Sequence, residues 1–162
     1  MRKSIIAGAI LVASAGAGAV ACAPSSSATP ASGSTMPASI IDPYLAIQDA
    51  LADDKTDGIK TNAGNIATAA TALGAPAFKI DTAAVQLAGA ADAPTPDIDD
   101  VRQKFGALSE AIDTYATGSK LKMPEGVRVA FCPMANKPWM QKGDTLSNPY
   151  YGKEMPTCGS FR

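Results

Sequence analysis

The chain has no histidine. That removes the usual side-chain base near neutral pH and the commonest nitrogen ligand for zinc, nickel and copper(II). No Ser-His-Asp or Cys-His set can be assembled, and no carboxylate pair stands out, so an enzyme is not expected. Charge is sparse at 18% of residues, and no stripe of Lys and Arg forms, which argues against a nucleic-acid partner. The three cysteines include no Cys-x-x-Cys unit, so a zinc ribbon is excluded. One apolar run stands out, residues 5–20, and it is too short to read as a spanning helix.

That run has a different reading. Arg2 and Lys3 precede it, and Ala19-Val20-Ala21-Cys22 closes it. A basic start, an apolar stretch and small residues at the cut are the parts of an export signal. A cysteine straight after the cut is the pattern of a bacterial lipoprotein. Residues 1–21 are therefore expected to be a lipoprotein signal peptide, and Cys22 the lipidated residue. The anchor would hold the chain at a membrane surface facing the periplasm or the cell exterior. Ala23, and not Asp, follows Cys22, which favours the outer membrane over the inner. Residues 22–39, rich in Ser, Ala, Thr, Pro and Gly, read as a flexible linker. The full chain carries 14 basic and 15 acidic residues; loss of Arg2 and Lys3 leaves 12 basic and a net charge of −3.

Residues 40–118 read as helical. Asp42-Pro43 offers an N-cap with proline at the first helical position, and Tyr44, Ile47 and Leu51 share a face. Asp57 can cap a second helix, in which Ile59, Ala63, Ile66, Ala70 and Leu73 step by four and three before Gly74 and Pro76 stop it. A shorter helix is expected over 82–91. Asp97 caps the clearest one, with Ile98, Val101, Phe105, Leu108, Ile112 and Tyr115 in one stripe. Four helices with short connections predict an antiparallel four-helix bundle. Asp53-Asp54 and Asp99-Asp100 read as solvated charges at helix ends.

The pattern changes in residues 119–162, the expected cap. Val127, Val129 and Phe131 alternate as a strand does. Prolines and glycines over 133–156 predict irregular structure. Residues 157–161 are expected to return beside 127–131 as a short β-hairpin, bringing Cys158 near Cys132. Cys132-Pro133-Met134 and Met155-Pro156-Thr157-Cys158 each place a thiol near a thioether across a proline, and Met140 lies between them. Thiolates and thioethers favour soft d¹⁰ ions such as Cu(I). Cys132, Met134, Met155 and Cys158, with Met140 at the fringe, are candidate ligands. The same two cysteines in an exported protein equally suit a disulfide, worth roughly 3–4 kcal/mol for a loop of this length. Trp139, Tyr150 and Tyr151 are candidates to shield an ion, to dock a partner or to pack the cap.

Phe131-Cys132-Pro133-Met134-Ala135, Trp139-Met140-Gln141, Asn148-Pro149-Tyr150-Tyr151-Gly152-Lys153, Met155 and Cys158-Gly159 together resemble the C-terminal signature of a bacterial domain of unknown function. Tyr44-Leu45-Ala46, Ala50-Leu51-Ala52-Asp53-Asp54 and Phe105-Gly106-Ala107-Leu108-Ser109-Glu110-Ala111 resemble its helical part. That domain occurs alone in exported proteins and at the C-terminus of some periplasmic adaptor subunits of heavy-metal (copper/silver) efflux pumps. The resemblance implies copper handling outside the cytoplasm, with an efflux adaptor or another periplasmic metal carrier as partner. Two functions are thus expected to compete. One is a lipid-anchored copper-binding accessory protein for metal tolerance or delivery. The other is a structural or adaptor module with a Cys132–Cys158 disulfide and an aromatic docking surface.

Overall fold

The computed structural model describes residues 34–162; the leader, Cys22 and most of the expected linker lie outside the described residues. Four helices form: α1 (Ala38–Ala52), α2 (Ile59–Leu73), α3 (Phe78–Ala91) and α4 (Ile98–Gly118). Three strands follow: β1 (Val127–Cys132), β2 (Lys137–Lys142) and β3 (Ser160–Phe161). The protein is mainly helical with a small antiparallel sheet in the order β2-β1-β3.

Each helix packs on the next, α1 on α2, α2 on α3 and α3 on α4. Their apolar stripes meet as their periodicity requires, and Ile59, Ala63, Ile66, Ala70, Val101, Phe105, Leu108 and Ile112 are buried. β2 packs against both α1 and α4. One core cluster therefore runs from Ile40 in α1 to Trp139 and Tyr150 in the tail.

Several expectations need correction. The hairpin is a three-stranded sheet: β1 pairs with β2 over its whole length, and the returning β3 adds to its other side. β2 lies inside the stretch expected to be irregular. Pro138 does not prevent it, because β2 is an edge strand and proline is tolerated there. The linker does not extend to residue 39. Met36 is buried, Thr35 bridges to Lys122, and α1 starts at Ala38. The start signal at Asp42-Pro43 is overridden because Ile40 and Ile41 are fully buried, and burying them extends the helix by a turn. α3 likewise begins at Phe78, four residues before the expected start. Gly58, in a left-handed conformation, stands at the N-cap of α2 where Asp57 was expected. Asp97 does cap α4, accepting the Asp99 backbone N–H at 3.0 Å.

Candidate dithiol site

Cys132 ends β1. A turn over residues 133–136, with Asn136 left-handed, leads into β2. Directly paired residues of an antiparallel sheet share a face. The register Ala130↔Trp139 and Cys132↔Lys137 therefore puts Cys132, Ala130 and Trp139 on one face, whereas Val129↔Met140 and Phe131↔Pro138 lie on the other. β3 pairs Phe131 with Ser160, which delivers Gly159 and Cys158 to the Cys132 end of β1.

Both cysteines are free thiols, Cys132 fully buried and Cys158 partly exposed. The Cys132 Sγ accepts two hydrogen bonds, each 3.4 Å, from the Ala135 backbone N–H and from Asn148 Nδ2. The Asn148 amide also donates to the Cys158 carbonyl at 2.6 Å, so one side chain touches both arms of the pair. Burial pushes the Cys158 thiol up, and the neighbouring Cys132 sulfur adds to that shift through its charge and a hydrogen bond.

Asn148 is fully buried, and each of its polar groups has a partner. Besides its two donor contacts, its Oδ1 accepts the Tyr150 N–H at 2.8 Å, its own N–H donates to the Pro156 carbonyl, and its carbonyl accepts from Gly152. Gln141 works the same way one loop earlier. Its Oε1 accepts from Trp139 Nε1 and from the Ser147 N–H, and its Nε2 donates to the Thr145 carbonyl. Gln48 of α1 donates to the Ser147 carbonyl. Satisfied buried amides fix a loop that has no ladder of its own.

An aromatic series joins this loop to the helices. Tyr44 stacks on Phe105 at 5.0 Å, Phe105 meets Tyr150 at 5.9 Å, and Tyr150 meets Trp139 edge-on at 6.2 Å. The Tyr150 hydroxyl donates to the Pro138 carbonyl. Burial raises the pKa of both Tyr44 and Tyr150, so both hydroxyls keep their protons. Trp139 and Tyr150 therefore do not present an exposed docking surface. Both rings are spent in the core, and only Tyr151 of the three is partly exposed.

The thioethers divide. Met134 is exposed on the turn after Cys132, and Met155 is partly exposed, its carbonyl accepting the Cys158 N–H. Met140 is fully buried on the face opposite Cys132, so the structure does not bring it to the thiols. Among the described residues no three Cys, Asp or Glu side chains gather as a metal cluster.

Two features escaped the sequence reading. Asn148 was visible only as part of the Asn-Pro-Tyr-Tyr-Gly run, and a lone Asn before Pro reads as a turn. Asp54 looked like a solvated helix-end charge. It accepts from Arg102 Nη2 at 2.6 Å and from the Lys153 N–H, while Arg102 also donates to the Pro149 and Leu51 carbonyls. The Arg102 hydrogen bond holds the Asp54 carboxyl below its ordinary pKa.

Compared with known proteins, the chain matches no family profile, no curated protein and no solved structure.

Proposed function

We propose that this chain is an exported, lipid-anchored accessory protein that carries copper as Cu(I) on the thiolates of Cys132 and Cys158. The observation that supports this most is the convergence of the two free sulfurs at one end of the sheet, joined through the Asn148 amide. A pair of soft thiolates suits a d¹⁰ ion that accepts low coordination numbers. Met134 and Met155, adjacent in sequence to the two sulfurs, are the thioethers available to complete the shell. The helices act as a bundle that presents this end. Cys22 would supply the lipid anchor, with a metal-efflux adaptor or a periplasmic carrier as exchange partner.

The test is anaerobic Cu(I) titration of reduced protein against a chelator. Wild type should take up about one ion, and Cys132→Ser should abolish uptake. Met134→Leu or Met155→Leu should weaken it without loss of fold, since that exchange roughly conserves volume. Met140→Leu should leave uptake unchanged. Reduced wild type that binds no more Cu(I) than Cys132→Ser overturns the reading. Membrane association is checked separately: Cys22→Ala should release the protein from the membrane fraction.

A second reading rests on the same adjacency. Oxidised, the pair would staple the tail as a structural or adaptor module. The oxidised form would then gain stability and the methionine exchanges would have no effect.

A further inference from the structure

The two sulfurs are not equivalent, and their difference has chemical content. Cys132 is sealed at 0% exposure, with two N–H donors on its sulfur. Cys158 is partly exposed in the irregular stretch between the short Gly152–Glu154 turn and β3. Its position over Cys132 is held by the Asn148 amide on its carbonyl and by the pairing of Ser160 with Phe131. One sulfur can meet molecules from outside; the other can meet only its neighbour.

We propose that Cys158 and Cys132 form a thiol–disulfide exchange centre for low-molecular-mass thiols. Cys158 is the sulfur that exchanges with the outside, and Cys132 is the buried resolving sulfur. In the oxidising direction the Cys158 thiolate attacks one sulfur of a small disulfide. A Cys158 mixed disulfide forms and one small thiolate leaves. The Cys132 thiolate then attacks the Cys158 sulfur, the Cys132–Cys158 bond forms, and the second small thiolate departs. The protein loses two electrons and two protons, and the small disulfide gains them as two thiols. In the reducing direction a small thiolate attacks Cys158, and Cys132 is the leaving group. The charge that develops on it meets the Ala135 N–H and the Asn148 amide, already aimed at that sulfur. Exchange rates follow which sulfur is accessible and how well the leaving thiolate is stabilised, and here both factors select the same direction of attack.

This proposal concerns the same sulfurs as the copper reading but is tested without metal, so either can fail alone. The full chain carrying Cys22→Ala, free of metal, is incubated with oxidised glutathione and followed by mass spectrometry with peptide mapping. The two-cysteine protein should end with an internal Cys132–Cys158 disulfide and no retained glutathione. Cys132→Ser should accumulate one glutathione on Cys158. Cys158→Ser should be modified at Cys132 roughly tenfold or more slowly, as a buried thiol is when folded. Circular dichroism confirms that each variant is folded. Returning the oxidised protein to reduced glutathione under rapid acid quench should trap the adduct on Cys158. An adduct on Cys132, equal modification of the two single-cysteine variants, or a stable double adduct in place of the internal disulfide would overturn the assignment.

Discussion

Gly159 shows how much of the site rests on single residues. It lies beside Cys158 with φ near +146°, and a Cβ there would stand 2.6 Å from the Trp139 ring and 2.8 Å from the Phe131 carbonyl. Neither neighbour can yield, since one is a fully buried indole and the other is strand backbone. Gly159→Ala should therefore destabilise the protein by roughly 2–4 kcal/mol through strain and overpacking, read by urea unfolding. It should also move Cys158 off Cys132. Asp54 gives a prediction in pH. Its folded pKa lies below the ordinary 3.8, so its pairing stabilises the fold above that value and is lost as pH falls through the lower, folded pKa. Asp54→Asn should flatten the stability–pH curve below about pH 4 relative to wild type; an unchanged acid limb would mean that Asp54 does not contribute. At this scale the sequence carried the two cysteines, because an alternating strand and a returning segment placed them together. It did not carry Asn148 or the Asp54–Arg102 contact, because polar partners 16 and 48 residues apart leave no periodic trace.

Elements with a full apolar stripe were legible, as α2 and α4 show; those whose shape depends on neighbours were not. β2 is the clearest case. Lys137–Lys142 has no alternation, since four consecutive residues from Pro138 to Gln141 are buried. Its outer edge is closed by side chains of other elements: the Met140 N–H donates to the Tyr44 hydroxyl, and the Pro138 carbonyl accepts from Tyr150. The proton order from α1 to α4 is fixed as well. Ser109 donates to the Phe105 carbonyl, so Tyr44 donates to Ser109 at 2.7 Å and accepts from Met140. Tyr44→Phe would leave the Met140 N–H and the Ser109 oxygen without their partner in the core. The expected cost is about 1–3 kcal/mol, with faster amide exchange at Met140 but not along α3. Equal stability of Tyr44→Phe and wild type would mean that another acceptor covers the edge. The misplacement of Met140 as a ligand has the same origin, because the opposite-face assignment follows only once the β1–β2 register is known.

For the whole molecule, the division at residue 118 into helices and cap describes order along the chain better than it describes packing. The core cluster crosses that boundary without a break, and the Tyr44–Phe105–Tyr150–Trp139 series passes from one side to the other at the Phe105–Tyr150 contact. Removing residues 119–162 would strip β2 from α1 and α4 and take the Tyr150 ring off Phe105. The single tryptophan makes this testable, because Trp139 lies in the sheet while far-UV circular dichroism is dominated by the four helices. If helices and sheet share one cooperative core, Trp139 emission and helical signal should change at one urea midpoint with one slope. Phe105→Ala, at the junction of both parts, should lower the two midpoints together, by a loss of about 3–5 kcal/mol. Two separated transitions, or a Phe105→Ala shift in one probe alone, would mean that the tail unfolds from an otherwise intact helical body. The joint behaviour matters for the dithiol. The Asn148 hydrogen bond on Cys132 persists only while the loop that holds Asn148 stays docked, and that loop is docked by Gln48 and Arg102 of the helices. Conditions that loosen the helices should therefore raise the rate at which Cys132 reacts with an alkylating thiol reagent in step with the loss of helical signal, and not before it.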